Sequence, residues 1–208
     1  MRIVVIADEL QKQELFGAET KESILCIDRL DLGIPGDVDA IVDLQFDNTA
    51  ERLNTLIGHE KKTIIVNSVL YTIKELDKNM VRFNGWNTFL HGPIVEASAA
   101  SDEIKQEAED VFQALGKQVE WVPDMIGFIA PRVVSSIINE AYIALQEGIS
   151  TKEEINTAMK LGTAYPYGPF EWADKITLKN IAALLKKLSI EDERYLPNEL
   201  LMEAAAIN

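Results

Sequence analysis

The chain has 208 residues, and its 34 acidic and 20 basic side chains give a net charge of −14 at pH 7. This charge disfavours nonspecific contact with nucleic acid or an anionic membrane surface, and no apolar run reaches the about 18 residues of a membrane span. A single cysteine, Cys26, excludes an intramolecular disulfide and is expected to be a small buried hydrophobic side chain. The N-terminus lacks a cleavage-site pattern, so the expected compartment is the cytoplasm.

The first half of the chain alternates short apolar runs with polar stretches that favour helix. Runs rich in Val and Ile, typical of strands covered on both faces, occupy residues 2–8, 23–28, 39–45 and 62–68. Helices are predicted over residues 48–57, 72–76 and 101–115, and further strands within VRFNGWNTFLHGP and QVEWV. This alternation predicts an α/β, Rossmann-like, mostly parallel sheet domain over residues 1–122.

The second half of the chain has the pattern of helices alone. Residues 131–147 carry apolar side chains at helical spacing, and Thr151 with Glu154 forms a capping-box pattern at the start of the next helix. An aromatic corner, YPYGPFEWAD, separates that helix from two more, which begin after Thr177 and at Pro197. The prediction is an all-α C-terminal domain over residues 123–208.

The order and spacing of several motifs resemble the 3-hydroxyacyl-CoA dehydrogenase family. The motifs are RFNGWNTF, DMIGFIAPRV, NEAYIALQEG, EEINTAMKLG, YPYGPFEWAD and RYLPNELLMEAA, so the resemblance covers nearly all of residues 2–205. It implies an oxidoreductase fold of fatty acid metabolism, with an NAD-binding domain joined to a helical domain through which subunits dimerise. A homodimer is therefore expected, with the apolar stripe of Ile137, Ala141 and Leu145 as a candidate interface.

The catalytic residues of that family can be placed on this chain by the same resemblance. In the family a histidine is the general base, a glutamate orients it, and a serine and an asparagine hold the substrate. The position of the histidine is held by Asn87, whose amide cannot accept a proton near neutral pH. Glu96 matches the glutamate, and His91 is the candidate that could replace the base from a remodelled, shortened loop.

The two substrate-holding positions also differ from the family pattern. Asn67 is retained and Ser68 is the nearest hydroxyl, but Val69 stands where the family has its serine. Ser68 is one residue away, which on a strand places it on the opposite face. The family's asparagine is replaced by Pro131, which has no amide side chain.

Cofactor binding is the third point of difference. A Rossmann-type domain needs glycines after the first strand so that a diphosphate can approach a helix N-terminus, and Asp8 and Glu9 stand there instead. Asp28, at the end of the second strand, is the candidate ribose-binding acid. The family's helical arm, which contacts CoA, is absent between the second and third strands. NAD is therefore expected to bind weakly or not at all, and no metal site is predicted.

Three functions remain open from the sequence. The chain can be a family member that has lost hydride transfer and binds a small molecule or a partner. It can be an active NAD-dependent oxidoreductase whose site is rebuilt around His91 and Glu96. It can also be a purely structural dimeric module. The combined losses at the base, serine, asparagine, glycine loop and CoA arm favour the first and third hypotheses over the second.

Overall fold

The computed structural model describes residues 1–17, 21–59 and 61–207, and the chain divides into two compact units, Met1–Phe128 and Ile129–Asn208. The boundary predicted after residue 122 precedes the observed one. The reason is that the segment following the last strand stays bound to the first unit, through contacts that are described below.

The first unit is built on one sheet. The strands of the described residues are β1 (Ile3–Ile6), β2 (Ile24–Ile27), β3 (Ala40–Asp43), β4 (Thr63–Asn67), β5 (Met80–Phe83), β6 (Ile94–Ser98) and β7 (Gln118–Trp121). Their order in the sheet is β2-β1-β3-β4-β5-β6-β7. All neighbouring strands are parallel except β5 and β6, which are antiparallel. The predicted α/β, mostly parallel, Rossmann-like sheet is confirmed.

Helices cover both faces of this sheet: α1 (Glu9–Phe16), α2 (Ala50–Ile57) and α3 (Asp102–Ala114). One face packs a cluster that includes Val5, Ile65 and Phe112, and the other face packs a cluster that includes Ile41 and Leu56. The inner strands are buried on both faces, which explains their nearly continuous apolar sequence. Cys26 is only half-buried at the edge of the first cluster, and burial raises the pKa of its thiol.

Two local predictions in the first unit were longer than the elements observed. Residues 72–76 form a single 3-10 turn, Ile73–Glu75, because β5 begins a few residues later at Met80. The predicted strand in VRFNGWNTFLHGP ends at Phe83, and residues 84–93 form a turn.

The second unit is helical, as predicted. Its helices are α4 (Ala130–Gln146), α5 (Lys152–Thr163), α6 (Pro169–Ile176), α7 (Leu178–Ser189) and α8 (Glu199–Ile207), with a 3-10 turn at Glu193–Tyr195. Ala141 is buried in the core of this unit, whereas Ile137 and Leu145 are half-buried. No helix in the described parts of the chain combines the length and apolar character that a membrane crossing requires.

The aromatic corner, YPYGPFEWAD, is a packing element whose second half forms the start of α6. The Asn156 Oδ1 atom accepts a hydrogen bond from the Phe170 N–H at 3.0 Å, and the Trp172 ring packs edge to face on Tyr165 at 5.3 Å between centroids. Gly168 is required here, because a Cβ atom at this position would lie 2.5 Å from the Asn156 Cα. Close approach of two backbones therefore explains the glycine.

A fully buried arginine holds the carboxyl-terminal part of the first unit together. The side chain of Arg82, on β5, has 0% exposure, and its Nε donates to Asp124 Oδ1 at 2.7 Å. Its Nη1 donates to the carbonyls of Ser68 and Tyr71 at 3.1 and 3.0 Å, and its Nη2 donates to the Met125 carbonyl at 2.5 Å. Burial lowers the pKa of Arg82, and the Asp124 carboxylate opposes that shift.

These bonds fasten the segment after β7 to the first unit. The Asp124 carboxylate also accepts the Ile73 N–H at 2.9 Å, and the Arg82 guanidinium lies 4.1 Å from the centre of the Phe128 ring. The Gly127 N–H donates to the Val69 carbonyl at 2.9 Å. The chain is therefore bound to the first unit as far as Phe128, which accounts for the position of the boundary.

Replacing Arg82 by Met should destabilise the protein by about 3 kcal/mol, because the change leaves Asp124 and three carbonyls without their donor in a largely buried site. Urea unfolding followed by circular dichroism measures the loss. The matched control is Arg29→Met, which removes an exposed guanidinium paired with Asp31 and should leave the unfolding midpoint unchanged. Equal midpoints for the two variants would contradict the role of Arg82.

Candidate functional site

The strand order places a topological switch point at the carboxyl ends of β1 and β3. From β1 the chain passes to β2 on one side, and it then returns to β3 on the other side. In open α/β sheets the crevice at such a point is where ligands bind. The residues around it are Asp8 after β1, Leu44 after β3 and Asn67 at the end of β4.

The N-terminus of α1 is capped by the protein itself at this point. The Asp8 Oδ1 atom accepts the Gln11 N–H at 2.8 Å, and Gln11 Oε1 accepts the Asp8 N–H at 3.0 Å, which is a reciprocal capping box. The Gln11 side chain is buried, and its Nε2 donates to the Leu44 carbonyl at 3.0 Å. One glutamine thus connects the start of α1 to the end of β3.

Asn67 continues the same set of hydrogen bonds across the sheet. Its Nδ2 donates to the Leu44 carbonyl at 3.0 Å, and its Oδ1 accepts the Gly85 N–H at 3.0 Å. Gly85 allows this approach, because a Cβ atom there would lie 2.9 Å from the Asn67 Cβ. We call the five linked residues, Asp8, Gln11, Leu44, Asn67 and Gly85, the carboxyl-edge relay.

The candidate ribose-binding acid lies next to this relay but is paired. Asp28 follows β2 at an exposed position, and its carboxylate binds the Lys12 ammonium of α1. This hydrogen bond with Asp28 raises the pKa of Lys12. Because Asp8 occupies the helix N-terminus and Lys12 engages Asp28, the residues present do not fit a dinucleotide.

The predicted substrate-binding residues are engaged by the backbone. Asn67 bonds within the relay, and the buried Ser68 donates from its Oγ to the Tyr71 carbonyl at 3.1 Å. The two residues are neighbours at the end of β4, and each side chain stabilises local structure.

The turn over residues 84–93 carries two of the predicted catalytic positions and is attached to the core at several points. The Thr88 N–H donates to Glu14 Oε2 of α1 at 2.7 Å, with Thr88 in the left-handed region at φ 78°. Leu90 is fully buried in the cluster that α1 and α3 cover. The turn is therefore part of the hydrophobic core.

A buried lysine closes the other end of this turn. The Lys117 ammonium donates to the Leu90 carbonyl and, at 2.9 Å, to the Gly92 carbonyl, on either side of His91. Desolvation lowers the pKa of Lys117. These bonds fix the backbone around His91.

The three predicted catalytic positions are distributed around this turn. Asn87 is half-buried within it, and Glu96 is half-buried on β6, on the face opposite Val95 and Ala97, which belong to the core. His91 is exposed and makes no hydrogen bond or ion pair with any residue that the structure describes, Glu96 included. The pairing of His91 with Glu96 as base and orienter stays a prediction.

Two cavities lie in the first unit. The larger, about 880 Å³, is lined by residues at the amino ends of β3 and β4. The smaller, about 330 Å³, lies at the carboxyl edge of the sheet, between the segments that follow β2 and β3 and the start of α2. The smaller one contains Arg52, which binds the buried Asp43 carboxylate through two hydrogen bonds of 2.7 Å. Burial raises the pKa of Asp43, and Arg52 opposes the shift.

Neither cavity is lined, among the described residues, by Asn87, His91 or Glu96. The described parts of the chain also contain no cluster of His, Cys, Asp and Glu side chains that could hold a metal ion.

Two residues that shape this edge were not predicted. Gln11 follows Asp8 by three positions, and this spacing is the sequence signature of a capping box. Arg82 is a lone charge in the apolar strand MVRF, a pattern that indicates a buried ion pair. Both signals were present in the sequence.

Comparison with known proteins agrees with the fold. The family model described as "3-hydroxyacyl-CoA dehydrogenase, C-terminal domain" matches residues 127–207. The 3-hydroxyadipyl-CoA dehydrogenase of Escherichia coli is 38% identical over 121 residues, which are 56% of this chain and 26% of that protein. The 3-hydroxybutyryl-CoA dehydrogenase of Bradyrhizobium diazoefficiens is 40% identical over 107 residues, which are 50% of this chain and 36% of that protein.

Solved structures extend the similarity to both units. The crystal structure of (S)-3-hydroxybutyryl-CoA dehydrogenase from Ralstonia eutropha matches with a TM-score of 0.72 and 25% identity, over 89% of this chain and 70% of that chain. The fold of M. tuberculosis FadB2 matches with a TM-score of 0.78 and 16% identity, over 99% of this chain and 93% of that chain.

A Rossmann-type sheet unit followed by a helical unit defines the class of this protein as a two-unit dehydrogenase fold. Residues 127–207 match the C-terminal domain of the 3-hydroxyacyl-CoA dehydrogenase family, and the chain as a whole is similar in sequence and fold to 3-hydroxyacyl-CoA dehydrogenases. Its matches span well under two thirds of the first curated relatives, between 26% and 38% of their lengths.

Replacing Asn67 by Ala should destabilise the protein by about 1–3 kcal/mol, because the Gly85 N–H loses its acceptor and the Leu44 carbonyl loses one donor. Urea unfolding followed by tryptophan fluorescence measures the change. Asn54→Ala, on the exposed face of α2, is the matched control and should not lower the midpoint. An unfolding midpoint of Asn67→Ala equal to that of the wild type would argue against the relay.

Proposed function

We propose that this chain is a 3-hydroxyacyl-CoA dehydrogenase-like protein that has lost hydride transfer and acts as a binding protein, with a second copy of itself as one partner. The observation that carries the proposal is Asn87, an amide at the position of the family's general base, in a turn that is fixed to the core. A general base must accept a proton near the working pH from within hydrogen-bond reach. An asparagine amide cannot do so.

The geometry of the turn also argues against replacement of the base by His91. A shift of the His91 backbone toward Glu96 would break the bonds of Lys117 to the carbonyls on both sides of His91. It also requires displacing Leu90, which is fully buried next to it. Reacting groups lose about 100-fold in rate for misplacements of about 1 Å, so an exposed histidine in a fixed turn is a poor substitute.

The substrate-holding side of the site supports the same conclusion. The hydroxyl of Ser68 already donates to a backbone carbonyl, and both ends of the Asn67 amide are used within the relay. A bound hydroxyacyl group would have to compete with these internal partners. The polar side chains that remain are therefore committed to hydrogen bonds that stabilise the fold.

Purified protein mixed with 3-hydroxybutyryl-CoA and NAD should give no NADH absorbance above background, because the base is absent. His91→Ala and Glu96→Gln should leave that background unchanged. The positive control is the 3-hydroxybutyryl-CoA dehydrogenase of Bradyrhizobium diazoefficiens, assayed in the same buffer. A clear rate that falls by about 100-fold in both variants would refute the proposal and support a rebuilt site.

The helical unit offers the surface for self-association. None of the residues of α5, all of which the structure describes, is buried, and Leu161 is 83% exposed. Ile149, just before α5, is 69% exposed. An isolated helix of 12 residues has only marginal stability in water. A second copy packed on α5 would cover these side chains and stabilise the helix.

Light scattering at tens of micromolar protein should give twice the chain mass of 23.3 kDa. Leu161→Glu should shift the mass toward that of the single chain, because it places a charge in the proposed interface. Ile190→Glu is the matched control, since Ile190 is 82% exposed after α7, and it should leave the mass unchanged. A wild-type mass near 23.3 kDa would rule out the homodimer. A purely structural module would also dimerise, but it would bind no small molecule.

A further inference from the structure

The N-terminus of α1 is the place where a Rossmann-type domain receives the diphosphate of its cofactor. The unpaired N–H groups and the dipole of a helix give this end a partial positive charge, which favours an anion. Here the anion is supplied by the chain, because the Asp8 carboxylate accepts the Gln11 N–H at 2.8 Å. The first turn of α1 contains a second carboxylate, Glu9.

We infer that the Asp8 carboxylate is a built-in replacement for the phosphate of a dinucleotide, and that the carboxyl-edge relay closes this crevice to NAD. The relay extends from Asp8 through Gln11 and Leu44 to Asn67 and Gly85, so it crosses the ends of β1, β3 and β4. The side-chain amides of Gln11 and Asn67 are both hydrogen-bonded to other groups of the protein.

Electrostatics and hydrogen bonding both oppose entry of a diphosphate. A phosphate placed at the N-terminus of α1 would meet the charges of Asp8 and Glu9 at short range, in a chain with a net charge of −14. Rotation of Asp8 away would remove the acceptor of the Gln11 N–H. It would also disturb Gln11, whose side chain is buried and connects α1 to Leu44. Entry of a diphosphate would therefore break hydrogen bonds that the protein already makes.

This inference concerns the cofactor edge and is independent of the proposed loss of the general base. A protein that bound NAD without turnover would overturn the inference and leave the proposed function intact. A protein that turned over substrate would overturn the proposed function directly.

The test is Asp8→Gly, which uncaps α1 at the position where the family has its glycine loop. Sodium pyrophosphate is the probe, with sodium chloride at equal ionic strength as the salt control, and the readout is the Tm by circular dichroism. Pyrophosphate should raise the Tm of Asp8→Gly by about 2–4 °C more than that of the wild type, because an external anion replaces the carboxylate. Asp8→Asn keeps the capping oxygen and should respond as the wild type does.

Ser101→Gly is the matched control, because Ser101 caps α3 by accepting the Ile104 N–H, and α3 begins outside the switch-point crevice. Its Tm should respond to pyrophosphate as the wild type does. Equal responses of Asp8→Gly and the wild type would overturn the inference. If Asp8→Gly does not fold, amide hydrogen exchange of wild-type α1 decides: unchanged protection of Gln11 with pyrophosphate supports the inference, and increased protection contradicts it.

Discussion

The carbonyl of Leu44 accepts hydrogen bonds from Gln11 and Asn67, and the arrangement of the carboxyl edge depends on this shared acceptor. This shared acceptor connects the cap of α1, the end of β3 and the end of β4 by hydrogen bonds. A buried carbonyl with two donors satisfies polar groups that would otherwise need water or a ligand. In the 3-hydroxyacyl-CoA dehydrogenases that the chain resembles, the same edge is where a dinucleotide is expected. In this chain the polar groups at that edge bond to one another.

Two buried cationic side chains, away from the crevice, hold two other segments of the first unit in place. Arg82 binds the segment that leads out of the first unit, and Lys117 binds the turn that carries Asn87 and His91. Each satisfies backbone carbonyls that a loop would normally present to solvent. The segments that carry catalytic groups in the family are thus fixed by charged side chains in the core. Such fixed loops suit a binding scaffold better than a site that must open and close.

The fold was predictable because its signals are local and periodic. The runs RIVVIAD and KTIIVNS have continuous apolar centres, IVVIA and IIV, which is typical of strands buried on both faces. The capping box at Thr151 also follows from short spacing, whereas the one at Asp8 was not predicted although Gln11 stands at the same spacing. The relay was not predicted, since its bonds join residues 33 and 23 positions apart. The turn at residues 84–93 was mistaken for strand because its apolar residues, among them Trp86 and Leu90, pack as a turn into the core.

The central claim is that the carboxyl edge of this sheet no longer accepts a dinucleotide. Isothermal titration calorimetry of the wild-type protein with NADH tests it directly, because binding is measured without any requirement for turnover. The account predicts no heat of binding above dilution up to millimolar NADH. A dissociation constant in the low micromolar range, with one site per chain, would contradict it.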